Sequence, residues 1–137
     1  MEKITFYPTI HTFHIDFMQH VSNIVFIEWM EIARCQLLEA VGMSVHSIME
    51  QGFGPVLVDT QISYKRQLRL GDKVRVDAWI GELEKISAYL EFRFSNADDE
   101  VVATGRQRGL FIDLNTQRPR RLAEEERARF EPYLAKS

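Results

Sequence analysis

Apolar positions change their period along this chain, from helical spacing before residue 55 to strict alternation after it. In the run from Asn23 to Val41, Ile27, Met30, Arg34, Leu37, Leu38 and Val41 fall on one stripe, which Ile24, Phe26, Ala33 and Ala40 widen. So broad a stripe predicts a long helix buried on most sides. Ser22 suits its N-cap, because a hydroxyl accepts a free N–H of the first turn, and Gly42 suits the C′ position. Glu31 and Arg34 are three apart and can pair on its surface. Ser44 to Gln51 reads as a short second helix closed by Gly52.

Beyond Pro55 the pattern is that of strands. Val56, Val58, Thr60, Ile62 and Tyr64 predict one dominant apolar face. After the turn signal Leu70-Gly71-Asp72, Val74, Val76, Ala78 and Ile80 face one way. Gly81 to Lys85 reverses the chain, and Ile86, Ala88, Leu90, Phe92 and Phe94 alternate again. A polar turn at Asn96–Asp99 leads to a last strand from Val101 to Asp113, with Gly105 and Gly109 on one face where something packs close. Residues 3–15 read as a further strand, with Pro8 favouring a sheet edge. Thr116 to Ser137 is charged and partly helical, limited by Pro119 and Pro132. Strand, long helix, then four strands on short turns make an α+β chain: an antiparallel sheet buries one face, and the one long helix covers it. Its open edges and small core predict pairing across a two-fold.

Composition narrows the setting. The 137 residues predict one domain, 1–137, and a net charge of −3 with mixed signs gives no footing for nucleic acid. No apolar run spans a membrane, and Met1-Glu2-Lys3-Ile4-Thr5 lacks a signal region, so a cytoplasmic protein is expected. The single Cys35 makes no internal disulfide, and mid-helix it reads as a buried, inert thiol.

The candidate chemistry gathers where the first strand meets the long helix, in Phe13-His14-Ile15-Asp16-Phe17-Met18-Gln19-His20-Val21-Ser22-Asn23. A helix N-terminus offers free N–H groups to a carbonyl oxygen that becomes negative. An adjacent carboxylate, Asp16, can attack that carbonyl or deprotonate a water. The plain alternative for Asp16 is a backbone-capping role at the junction, and for His20 a ring that packs to hold the loop. His11, His14, Asp16 and His20 also form a candidate metal set, although their spacing matches no strong ligand pattern.

The string from His14 to Asn23, followed by Phe26 and Glu28-Trp29-Met30-Glu31-Ile32-Ala33-Arg34, resembles the signature of hotdog-fold acyl-CoA thioesterases of the 4-hydroxybenzoyl-CoA thioesterase type. The Gln19-His20-Val21 wording is closest to the long-chain acyl-CoA thioesterase branch. Ser63-Tyr64-Lys65-Arg66 and Phe111 to Pro119 extend the resemblance over most of the chain. It implies a hotdog fold, an antiparallel sheet wrapped around one long central helix, assembled as a homodimer or homotetramer with sites at the dimer interface. It puts Asp16 at the family's nucleophile or general base, Asn23 where a backbone N–H meets the thioester oxygen, and Lys85 and Ser87 in the stretch that meets CoA in some relatives. Phe26 stands where the family has a tyrosine and lines the substrate site without its hydroxyl. Gln19 replaces a glycine, and Ser22 an asparagine. Lys85, Arg66, Arg106 and Arg108 are candidate phosphate contacts; Phe92 and Phe94 are candidate tunnel or core residues.

The expected activity is therefore hydrolysis of an acyl-CoA, or of an acyl carrier protein thioester, to a free acid and a thiol. Asp16 supplies the nucleophile or base, Asn23 the carbonyl contact and His20 an acid, with no metal or cofactor. Two alternatives come from other classes: a non-catalytic acyl-CoA-binding dimer, and a metal-dependent hydrolase using His14, Asp16 and His20.

Overall fold

The structure is a computed structural model that describes residues 1–136; Ser137, the end of the charged C-terminal stretch, lies outside the described residues. Five strands form one antiparallel sheet: β1 (Ile4–Phe6), β2 (Phe53–Tyr64), β3 (Val74–Leu83), β4 (Ser87–Asn96) and β5 (Val101–Asp113). Their order is β1-β3-β4-β5-β2, which leaves β1 and β2 at the edges. Helix α1 (Asn23–Ala40) lies against the sheet, α2 (Val45–Gln51) leads into β2, and α3 (Glu124–Phe130) follows β5.

Local signals set these bounds. The Ser22 Oγ accepts from the Ile24 N–H and caps α1, while Gly42 and Gly52 turn the chain out of α1 and α2 at φ +84° and +69°. α3 sits between Pro119 and Pro132, and its Phe130 ring meets Phe111 edge-on at 5.7 Å. Arg34 grips Glu31 with two hydrogen bonds of 2.8 and 2.9 Å.

The core lies between α1 and the sheet. Met30, Ala33, Leu37, Val76, Ala78, Phe94 and Ala103 are fully buried, each large side chain contributing ~1.5–3 kcal/mol. Gly105 is what lets the helix come close: a Cβ there would sit 2.7 Å from Met30 Cε.

Four expectations are corrected. First, strand character in residues 3–15 is confined to Ile4–Phe6, and Thr12–His14 is a 3-10 turn. Second, the buried face of α1 is Val25, Phe26, Trp29, Met30, Ala33 and Leu37, so the stripe is rotated from the expected one. Ile24, Ile27 and Ile32 are exposed, because the sheet covers only one side of the helix. Third, Cys35 is on that open side and is exposed rather than buried. Fourth, β2 does not keep one apolar face. Leu57 pairs with Gly109 but Asp59 pairs with Arg108, so Val58 is an extra residue. Side chains alternate by twos, so one inserted residue exchanges faces. Thr60, Ile62 and Tyr64 thus pair with Gln107, Gly105 and Ala103 on the helix side, where Pro55 and Leu57 also point, while Val56 and Val58 are left exposed.

Candidate active site

Asp16 opens a tight turn that ends at His20. The Asp16 N–H donates to the His20 carbonyl at 2.8 Å, and the Gln19 N–H donates to the Asp16 carbonyl at 3.0 Å. Asp16 Oδ1 accepts from the N–H groups of Met18 (2.9 Å) and His20 (3.3 Å). Oδ2 has no hydrogen-bond partner among the described residues. Gln19 sits at φ +68°, the left-handed region, which explains a glycine at this point of the signature. The turn is tied down on both sides: the Val21 N–H donates to the Leu68 carbonyl at 2.8 Å, and the Ser22 N–H to the His14 carbonyl at 2.9 Å.

The chain then enters α1 directly. Asn23 is its first residue, and the first N–H groups of any helix have no acceptor within it. Asp16, His20, Asn23 and Phe26 therefore converge on one cleft of about 230 Å³, whose other walls are Met18, Val21, Tyr64, Arg66, Gln67 and Leu68. Asp16, His20 and the first residue of α1 thus line one space, where a helix start offers free N–H groups.

The rest of the wall comes from distant sequence. The Phe26 ring is buried and stands edge-on to Trp29, Tyr64 and Phe94, with centroids 5.2 to 5.4 Å apart. The Tyr64 hydroxyl donates to the Asn23 carbonyl at 3.3 Å, and burial pushes its pKa up, so it stays a neutral donor. The sequence does not single out Tyr64 as a site residue. It brings a hydroxyl to the helix start in a chain that has phenylalanine at 26, and its signals in the sequence are its place at the end of the β2 pattern and in the Ser63-Tyr64-Lys65-Arg66 string of the resemblance. Arg66 stands on the rim, paired to Glu100 at 2.9 Å.

Two expected substrate residues lie elsewhere. Lys85 is exposed in the β3–β4 turn, and Ser87 is buried with its hydroxyl donating to Glu84 at 2.8 Å. Neither lines the cleft within one chain. The candidate metal set is not assembled either. His14 Nδ1 accepts from the His11 N–H at 2.9 Å, and its ring packs edge-on to Phe13 and Trp29. Among the described residues no three His, Cys, Asp or Glu side chains are grouped so as to hold a metal ion.

A five-stranded antiparallel sheet around one long helix, with a carboxylate turn at the helix start, defines a hotdog thioesterase domain. The family model of the thioesterase-like superfamily matches residues 10–134, and the chain belongs to that family, whose reaction class is thioester hydrolysis. Among curated relatives, the long-chain acyl-CoA thioesterase FadM of Escherichia coli (strain K12) is 29% identical over 127 residues, covering 89% of this chain and 92% of its own. A thioesterase from Thermus thermophilus, solved with coenzyme A and Zn, is 26% identical with a TM-score of 0.80, covering 94% of this chain and 92% of the other. Protein SAV2348 of Staphylococcus aureus, solved in complex with CoA, shares the fold at a TM-score of 0.90 and 17% identity, over 96% of this chain and 84% of that one.

Proposed function

We propose that this chain, as one domain over residues 1–137, is a cytoplasmic acyl-CoA thioesterase that works without a metal. The observation that carries the reading is the turn at Asp16: one carboxylate oxygen is held by two backbone N–H groups, and Asp16 lines the same cleft as Asn23, the first residue of α1. The thioester carbonyl rests against the Asn23 N–H, which stabilises the negative charge that develops on its oxygen. Asp16 then either attacks the carbonyl carbon, expelling the thiolate and leaving a mixed anhydride that water cleaves to the free acid and Asp16, or takes a proton from a water that attacks the carbon directly. The CoA thiolate is a good leaving group, and His20 on the same cleft is placed to protonate it. Phe26 and Tyr64 wall the acyl side, and Arg66 on the rim suits a phosphate of CoA.

The same proposal includes a homodimer. β2 is twelve residues long at an open edge, with Val56 and Val58 exposed, and Ile24, Ile27 and Ile32 form an apolar strip on the open side of α1. A two-fold pairing of β2 with its own copy covers both. It also gives the exposed Lys85 a route to CoA bound across two copies, which one chain does not offer; Ser87 stays buried against Glu84.

Thiol release from short, long and aromatic acyl-CoAs, with a chelator present, tests the proposal. Turnover of at least one ester, insensitive to chelator, is the expected result. Binding of CoA esters without thiol release would replace it with a carrier role, and turnover that stops with chelator and returns with zinc would end the metal-free mechanism.

A further inference from the structure

The loop from β2 to β3, residues 65–73, carries Lys65, Arg66, Arg69 and Lys73 against a single acid, Asp72. Its backbone holds it in place. The Lys65 and Arg66 N–H groups both donate to the Val102 carbonyl, at 2.8 and 3.0 Å, and the Asp72 N–H donates to the Arg69 carbonyl at 3.0 Å. Leu68 is buried, and its carbonyl accepts from Val21 of the Asp16 turn at 2.8 Å. A loop so fixed presents its side chains at little further cost in entropy.

Beside the loop lies an open trough of about 530 Å³. The acids on it are already engaged. Glu100 Oε2 pairs with Arg66 at 2.9 Å and Oε1 accepts from Asn96 Nδ2 at 3.0 Å, while Asp72 Oδ2 accepts the Arg69 N–H at 2.8 Å. Lys65 and Arg69 also line the trough; they are exposed and have no ion-pair partner among the described residues. Two cations left over beside satisfied carboxylates suit the oxygens of a phosphate. Arg66 and Gln67 line both this trough and the Asp16 cleft, so the two spaces adjoin. Elsewhere the cleft is closed by Val21, Phe26 and Leu68, all buried and apolar, which leaves the Arg66–Gln67 side as the polar way out. Lys85 is at the far end of the sheet: it lies beyond Leu83, and the ten residues of β3 carry the chain about 30 Å away from the trough.

We propose that the 3′-phosphorylated adenosine diphosphate end of CoA lies in this trough, on the same chain that supplies Asp16. Lys65 and Arg69 hold its phosphates beside Arg66. The Gln67 side-chain amide, which both donates and accepts, meets the amides of the pantetheine arm on the way. This inference rests on the thioesterase reading above and gives its leaving group a seat.

The test compares kcat/KM for an acyl-CoA and for the same acyl group on pantetheine, which ends before the phosphates. The wild type is expected to favour the CoA ester by about tenfold or more, through KM, with the advantage shrinking as salt is raised. Replacing both cations, Lys65→Ala with Arg69→Ala, is expected to bring the ratio close to one. Gln67→Leu should weaken both esters alike, since both carry the pantetheine arm; no effect on either would remove Gln67 from the seat. Calorimetric binding of CoA itself to the wild type and to the double variant reads the seat without turnover. CoA held through Lys65 and Arg69 with no thiol release would leave this inference standing while the thioesterase reading failed, and turnover with no advantage for the CoA ester would do the reverse. Equal handling of the two esters by the wild type would overturn the proposal even if the variant did not fold. So would an advantage that survives the double variant, or one that Lys85→Ala abolishes and the double variant does not, because the phosphates would then lie at the other end of the sheet.

Discussion

Asp16 is assigned two tasks, and Asp16→Asn and Asp16→Ala separate them. Its Oδ1 accepts two backbone N–H groups at 2.9 and 3.3 Å, and these bonds hold the turn whose left-handed residue is Gln19. An asparagine oxygen accepts the same N–H groups, so the turn survives in Asp16→Asn at a cost below about 1 kcal/mol. Alanine loses both bonds; at a half-exposed position that costs ~1–2 kcal/mol. For a chain of this length each kcal/mol lowers Tm by about 3–5 °C. Asp16→Asn should therefore melt within a few degrees of the wild type, and Asp16→Ala several degrees lower. Catalysis should not follow that ranking. Neither variant can attack a carbonyl or deprotonate a water, so kcat should fall at least ~100-fold in both, given what a positioned base contributes. Thiol release on the best acyl-CoA, paired with thermal melts of the same preparations, makes the comparison. Retention of more than about a tenth of wild-type kcat by Asp16→Asn would refute the chemical role. A loss of kcat that tracks Tm across the two variants would reduce Asp16 to a turn-former.

Other expectations follow from single contacts. Gly105→Ala puts a Cβ 2.7 Å from Met30 Cε in a fully buried layer, so urea unfolding should show a loss of ~1–3 kcal/mol. Tyr64→Phe removes the hydroxyl at the helix start; kcat/KM should drop about fivefold, with Tm nearly unchanged. Asp113 accepts from the N–H groups of Thr116 and Asn115, which hold its carboxyl below the usual range. A depressed pKa gives stability that is present at neutral pH and fades as the pH falls through it. Asp113→Ala should thus melt lower than the wild type at about pH 7, with the gap closing in acid below the ordinary aspartate range. A gap of constant size across that titration would remove the ionic origin.

What the sequence determined by itself was whatever neighbouring residues decide. Ser22, Gly42 and Gly52 bound the two helices because capping and left-handed turns act within a few residues. The run from Val101 to Asp113, set off by the polar turn at Asn96–Asp99, predicts β5 with the bounds it has, since a turn acts on the residues beside it. Asp16, His20, Asn23 and Phe26 stand within eleven residues in the string that resembles the thioesterase signature, and they line one cleft. What only the tertiary structure decided depends on partners far away in the chain. The extra residue at Val58 carries no local signal, yet it exchanges the faces of β2 and delivers Tyr64 to the cleft and Thr60 to Gln107. The open side of α1, with Ile24, Ile27 and Cys35, is fixed by where the sheet ends, which a helical period alone does not contain. Lys85 and Ser87 sit apart from Asp16 because strand order, rather than sequence, sets which ends of the sheet meet.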